Sequence, residues 1–224
     1  MSRLTIAIDG PAGAGKSTIA KIIAKSLGIV YLDTGAMYRA VALKALQEGI
    51  DTLDRKGLSE MIDSINIKIG HCGEEQRIFL DGADVSEQIR TPEVSIGASN
   101  VAAVPEVRIK LVELQRAVSK EISIVMDGRD IGTYVLPDAD LKIFLTASLE
   151  ARAKRRYEEL IEKGNDTVAF SEVLKDIEHR DLSDSSRDFA PLAKADDAVE
   201  IDTTAMSVEE VAEKIILLAK VRVS

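Results

Sequence analysis

The chain has 224 residues, 46% hydrophobic and 30% charged, with a formal net charge of −9. That length and balance suit one α/β domain with a sizeable core, and the negative charge argues against a nucleic-acid polymer as partner while leaving room for a nucleotide in a local basic pocket. No apolar run nears the ~18 residues of a membrane span, no signal-peptide pattern precedes the first strand, and the single cysteine, Cys72, excludes an internal disulfide and fits a reducing cytoplasm.

In chain order, Leu4-Thr5-Ile6-Ala7-Ile8 reads as a buried parallel strand. It runs into Gly10-Pro11-Ala12-Gly13-Ala14-Gly15-Lys16-Ser17-Thr18, which fits G-x-x-x-x-G-K-[ST] without mismatch. Ile19 to Leu27 has helical spacing, with Gly28 as its stop. Val30-Tyr31-Leu32 is a short strand, and Met37 to Leu46 a helix ended by Gly49. Ile65 to Ile69 and Arg77 to Leu80 predict two antiparallel strands around a polar turn, and Asp81-Gly82-Ala83-Asp84-Val85 a tight turn into a third. His71 and Cys72 stand beside that polar turn and read as surface residues rather than a metal pair. Pro92 and Pro105 each open a helix, the second running to about Lys120. Further strands follow at Ile122 to Met126, Leu141 to Leu145 and Ala198 to Ile201. A helix spans about Ser148 to Lys163, and Ser207 with Glu210 forms a capping box for a last helix through Leu218. The alternation predicts a three-layer α/β fold: a parallel sheet flanked by helices, with a small antiparallel β insert.

The glycine-rich stretch is a phosphate-binding loop. Its glycines let backbone N–H groups converge on phosphate oxygens, and the following helix N-terminus adds positive potential. Lys16, on what reads as a solvent-facing loop, is suited to the β- and γ-phosphates, and the Ser17 hydroxyl to Mg²⁺. Asp127, at a strand end, reads either as a water-mediated Mg²⁺ partner or as a turn acid. Such a loop leaves three classes open: a small-molecule kinase, a GTPase switch and an ATPase module. There is no N-K-x-D motif to read guanine. Ligands of open α/β sheets bind beyond the carboxyl ends of strands. The stretches Asp33 to Arg39 and Asp127 to Thr133 are expected there, facing the phosphate loop, and Arg180 to Arg187 repeats their chemistry. Arg39, Arg129, Arg180 and Arg187 are suited to hold one phosphate as bidentate donors.

These stretches, with Ile8-Asp9 ahead of the loop and Ala190-Pro191-Leu192 near the end, resemble the bacterial cytidylate kinases over nearly the whole chain. The resemblance implies a single P-loop kinase domain, with a monophosphate-binding insert at about 60–95 and a lid at about 152–168. It implies transfer of the γ-phosphate of ATP, with Mg²⁺, to CMP or dCMP by a cytoplasmic, monomeric enzyme. Gly10 to Thr18 would hold ATP. Thr34, Ser99, Arg108 and Asp130 would read cytosine, and Arg39, Arg129 and Arg187 would hold the CMP phosphate. Arg180 and Asp184 would contact the ribose and the nearby phosphate. Lys16, Arg129 and Arg187 would carry the catalytic charge. Ser99 and Arg108 rest on the resemblance alone; by themselves they read as a small helix residue and a solvated helix charge. Arg152, Arg155 and Arg156 share one helix face and are lid arginines in this reading; the bland alternative is a salt-bridged surface with Glu158 and Glu159. The alternatives are a uridylate or mixed pyrimidine kinase and, outside enzymes, a nucleotide-dependent switch.

Overall fold

The structure is a computed structural model that describes residues 3–72, 75–162, 164 and 167–223. In chain order it contains β1 (Thr5–Asp9), α1 (Lys16–Leu27), β2 (Val30–Asp33), α2 (Thr34–Gln47), α3 (Arg55–Ile62), β3 (Ile67–Cys72), β4 (Glu75–Leu80) and β5 (Ala83–Asp84). It continues with α4 (Pro92–Val101), α5 (Pro105–Glu121), β6 (Ile124–Gly128), β7 (Leu141–Thr146), α6 (Leu149–Glu162), α7 (Phe170–Ser185), β8 (Val199–Asp202) and α8 (Val208–Val223). Strands β2-β6-β1-β7-β8 form one sheet in that order, and β3-β4-β5 a second. The chain divides into two compact units, one running to Val30 and again from Ser123, the other from Tyr31 to Ile122.

The first unit is built on β1. It is flanked in parallel by β6 (Ile8 opposite Asp127, Asp9 opposite Gly128) and by β7 (Ile6 opposite Leu141). Ile6, Ala7, Ile8, Val125, Met126 and Leu145 are fully buried, as expected of strands covered on both faces. Each of these side chains larger than alanine contributes roughly 1.5–3 kcal/mol. Helix α1 buries Ile19, Ala20, Ile23 and Ala24 on one stripe and packs on α8, whose stripe is Val211, Ala212, Ile215 and Ala219. The Ser207 and Glu210 capping box forms reciprocally: Glu210 N–H donates to Ser207 Oγ, and Ser207 N–H to Glu210 Oε2. Helix α8 continues beyond Leu218 to Val223.

In the second unit α2 packs closely on α4, and a Cβ on Gly97 would meet Ala42 and Thr52 at 3.1 and 3.0 Å. Thr91 caps α4 through the Val94 N–H, with Pro92 in its first turn. The antiparallel meander is present, with β3 lying later than Ile65 to Ile69. Asn66 instead exchanges bonds with Asp81, donating to its carboxylate and accepting from its N–H. Asp81 (φ 50°) and Gly82 (φ 88°) make the β4–β5 turn, the positive-φ pair that a tight hairpin demands. The polar turn between β3 and β4 falls on residues 73 and 74, outside the described residues. Helix α3 has no counterpart in the sequence reading: Asp54 caps the amides of Lys56 and Gly57, and Leu58, Met61 and Ile62 are buried at helical spacing.

Candidate active site

β1 ends at Asp9, and the loop begins at Gly10 with φ 146°, where a Cβ would lie 2.1 Å from the Leu145 carbonyl oxygen. Only glycine fits so close to neighbouring backbone. Gly13 (φ 74°) is also tight, a Cβ there lying 3.0 Å from Arg152. Lys16 opens α1 and is 6% exposed, not solvent-facing as the sequence suggested, and its ammonium donates to the Pro11 carbonyl (2.7 Å). Burial, reinforced by the Arg129 charge, lowers its pKa to about 7 against the opposing pull of Asp127, Asp184 and Asp9. Ser17 Oγ donates to Asp127 Oδ2 at 2.7 Å.

Beyond β6, Arg129 Nε donates to Asp184 Oδ2 (2.5 Å), and Arg187 pairs with the other oxygen of the same carboxylate. Burial raises the Asp184 pKa, but the two guanidiniums outweigh it and hold the carboxyl below the usual aspartate range. Burial likewise opposes the charge on Arg129, and Asp184 more than restores it. Asp184 lies in the last turn of α7, the helix that also carries Arg180. Leu192 N–H bonds the Asp184 carbonyl (2.8 Å), and Ala190 adopts φ 49° on the way, folding the chain back onto the helix end. Arg180 pairs with Asp176 one turn earlier. Asp130 is 5% exposed, and its carbonyl accepts from Tyr134 and Val135 in a π-helical turn at Ile131–Val135. Such turns are rare and concentrate at functional sites.

Arg152 is 6% exposed and lies against the loop. Its guanidinium donates to the Ala12 carbonyl (2.9 Å) and pairs with Asp181 (2.6 Å), whose carboxylate also accepts the Ala12 N–H (3.2 Å). Arg155 bonds Thr203 Oγ1 and the Thr203 carbonyl, and Arg156 pairs with Glu159. Lys163, Asn165 and Asp166, within the stretch that the resemblance gives to the lid, lie outside the described residues.

In the second unit, Thr34 is 3% exposed at the start of α2. Arg39 sits in the second turn of that helix and pairs with Asp33 (2.7 Å), whose other oxygen caps the Ala36 N–H. Gln76 on β4 holds the same strand end, accepting the Asp33 N–H and donating to the Asp33 carbonyl. Ser99 is half-buried on α4. Arg108 is 1% exposed on α5, donates to the Ala102 carbonyl (3.1 Å) and lies 5.7 Å over the Tyr38 ring. A fully buried, aromatic-backed guanidinium is not the solvated helix charge that its surroundings in sequence suggest.

The structure therefore brings Lys16, Ser17, Asp127, Arg129, Asp184 and Arg187 together in one unit and leaves Arg180, Arg155 and Arg156 with other partners. Sequence reading gave no role to Asp9, Asp181 or Gln76. The signal for Asp9 was an acid closing a buried strand; for Asp181, an acid beside a singled-out arginine; Gln76 offered none.

A parallel sheet carrying this loop, with a lysine and a hydroxyl on the helix that follows, defines a P-loop nucleotide-binding fold. The family model described as cytidylate kinase matches residues 6–221. Curated cytidylate kinases are similar along nearly the full length: that of Caldicellulosiruptor bescii is 53% identical over 97% of this chain and 96% of its own. The Clostridioides difficile and Bacillus subtilis proteins are 52% and 50% identical over 96% of this chain and 98% and 95% of theirs. A solved structure of an uncharacterized protein from Eubacterium ventriosum, 15% identical, shares the fold, with a TM-score of 0.52 over 97% of this chain and 99% of that one. The chain belongs to the cytidylate kinase family and is a nucleoside monophosphate kinase. Among the described residues no helix is long and apolar enough to cross a membrane.

Proposed function

We propose that the protein transfers the γ-phosphoryl group of ATP to CMP or dCMP, yielding ADP and CDP or dCDP, as a cytoplasmic monomer. The observation that carries this reading is the convergence of Lys16, the Ser17–Asp127 pair and the Arg129–Asp184–Arg187 network beyond two adjacent strands of one unit. The loop from Gly10 to Thr18 holds the ATP phosphates, and Arg129 and Arg187 hold the acceptor phosphate. One oxygen of that phosphate attacks the γ-phosphorus in line, and the bond to the β–γ bridging oxygen breaks. The nucleophile is already anionic, so positioning and charge neutralisation by Lys16 and the arginines suffice. Ser17 and Asp127 supply one hydroxyl and one carboxylate, a donor set that fits Mg²⁺, which binds through few protein oxygens together with phosphates and water. When bound, Mg²⁺ neutralises phosphate charge. The resemblance assigns Thr34, Arg39, Ser99 and Arg108 to CMP, Arg180 and Asp184 to its ribose and nearby phosphate, residues 60–95 to the insert and 152–168 to the lid.

Asp130 reads the base in this proposal. Its carboxylate accepts from cytosine N4, whereas uracil presents an acceptor at that position. A site built to bond one polar group rejects an analogue that leaves it unpaired. The test is ADP release in a coupled assay across CMP, dCMP, UMP, AMP, GMP and shikimate. Dependence on CMP or dCMP supports the reading, equal use of UMP makes it a mixed pyrimidine kinase, and slow acceptor-independent hydrolysis makes it a switch. Asp130→Asn narrows the CMP-to-UMP ratio of kcat/KM; an unchanged ratio removes Asp130 from base reading.

A further inference from the structure

Asp9 closes β1 and is 4% exposed. Its two carboxylate oxygens are taken by consecutive amides of the π-helical turn: Ile131 N–H donates to Oδ1 (2.8 Å) and Gly132 N–H to Oδ2 (2.7 Å). Those amides open the turn, where a helical backbone leaves N–H groups without partners of its own. The turn closes on itself behind them, with Leu136 N–H on the Ile131 carbonyl and Tyr134 and Val135 on that of Asp130. Ahead of it, Gly128 is fixed in register opposite Asp9 by the β1–β6 ladder. Arg129 and Asp130 are thus bracketed, with Gly128 laddered before them and Ile131 tied to Asp9 after them. Gly132 leaves little slack, since a Cβ there would lie 3.3 Å from Asp9 Oδ2 and 3.2 Å from the Lys142 stem.

We propose that Asp9 is a positioning residue of the acceptor site: its bidentate grip on Ile131 and Gly132 holds Arg129 and Asp130 where they meet CMP. This rests on the acceptor-site reading above. Asp9 also directly precedes Gly10, so one side chain ties the start of the ATP loop to the segment that handles the acceptor. Burial raises the Asp9 pKa to about 6, with the two backbone bonds opposing and Asp130 assisting. The charged groups facing it are Asp130 beyond β6, Lys16 on α1, and Lys142 on β7, whose ammonium is held by Asp197. Protonation removes part of the acceptor capacity that the two amides use, so the grip is complete only above that pKa.

The test begins with Asp9→Asn, which keeps the shape but sets an amide N–H₂ against a backbone donor. KM for CMP rises tenfold or more while KM for ATP stays within threefold; equal changes in both, or none in either, overturn the role. In the parent protein without nucleotide, the Ile131 and Gly132 amide NMR shifts titrate together near pH 6. CMP binding lowers that midpoint by half a unit or more, because ligand and ionised Asp9 favour the same turn and the coupling is reciprocal. Flat shifts, or a midpoint that CMP does not lower, overturn the proposal even if the variant fails to fold. Arg129→Ala and Asp130→Asn are measured alongside. If they too leave CMP kinetics untouched, the acceptor-site reading falls; if they respond and Asp9→Asn does not, only the role of Asp9 falls.

Discussion

The two units hold their charged candidate residues in opposite ways. In the unit formed by the chain ends, Lys16, Arg129 and Arg187 share acids: Asp184 serves two guanidiniums, and Lys16 is influenced by Asp9, Asp127 and Asp184 together. In the unit from Tyr31 to Ile122 each group has a private support, Asp33 for Arg39, and a backbone carbonyl and the Tyr38 ring for Arg108. A shared network in low dielectric is strong while complete, and any single loss leaves a partner exposed to the full desolvation cost. Privately held groups fail one at a time. The lesson is that substitutions within the shared network of the first unit should be large and non-additive, and those at privately held groups smaller and local.

The largest expected effect is Lys16→Ala, which should reduce turnover by roughly a hundredfold or more, the scale of losing one preorganised charge at a phosphoryl-transfer site. ADP release in a coupled assay measures it, and near-normal turnover would remove Lys16 from the chemistry. Next comes Asp184→Ala. Removing the shared acid leaves two guanidiniums facing each other and should cost about 3 kcal/mol of stability in denaturant titrations, the low end for breaking a buried pair. Asp184→Ala combined with Arg187→Ala should cost less than the sum of the single changes, with a coupling of ~0.5–3 kcal/mol. Strict additivity would break the contrast between the units.

The pH dependence sharpens it. Asp184 is held below the usual aspartate range, so its contribution is complete above the unfolded value near ~3.9. That contribution is lost only as pH falls through the lower folded value. The stability gap between parent and Asp184→Ala should therefore not shrink from pH 7 to 5, where loss of Asp184 also makes Lys16 harder to protonate, and should close only in stronger acid. A gap that closes by pH 5 would contradict the ion pairing.

In the other unit, Arg39→Ala should raise KM for CMP yet change stability by only ~0–1 kcal/mol, since its pair with Asp33 is partly solvated. Asp33→Ala should cost about 1 kcal/mol more through loss of the α2 cap. The smallest effect lies back in the first unit but outside its shared network: Arg156→Ala, whose i,i+3 pair with Glu159 is worth ~0.2–0.5 kcal/mol. A large activity loss there, without a stability change, would favour Arg156 as a lid arginine.

The sequence by itself determined whatever is written in local pattern. The loop and the strand and helix around it, the Pro92 and Pro105 helix starts, the Ser207–Glu210 box and the Asp81-Gly82 turn each depend on a few neighbouring residues, so propensity and spacing reveal them. Helix α3 escaped because Gly57 breaks its pattern while Asp54 and the burial of Leu58, Met61 and Ile62 restore it. Helix α7 escaped because its polar, acid-rich sequence buries only Val173, Ile177 and Asp184. Tertiary structure alone decided which charges meet. Arg152 finds Ala12 across 140 positions, Asp9 finds Gly132 across 123, and Arg129 finds Asp184 across 55. Burial and ion pairing are set by what the fold packs around a side chain, so an arginine that reads as surface charge becomes the brace beneath a phosphate loop.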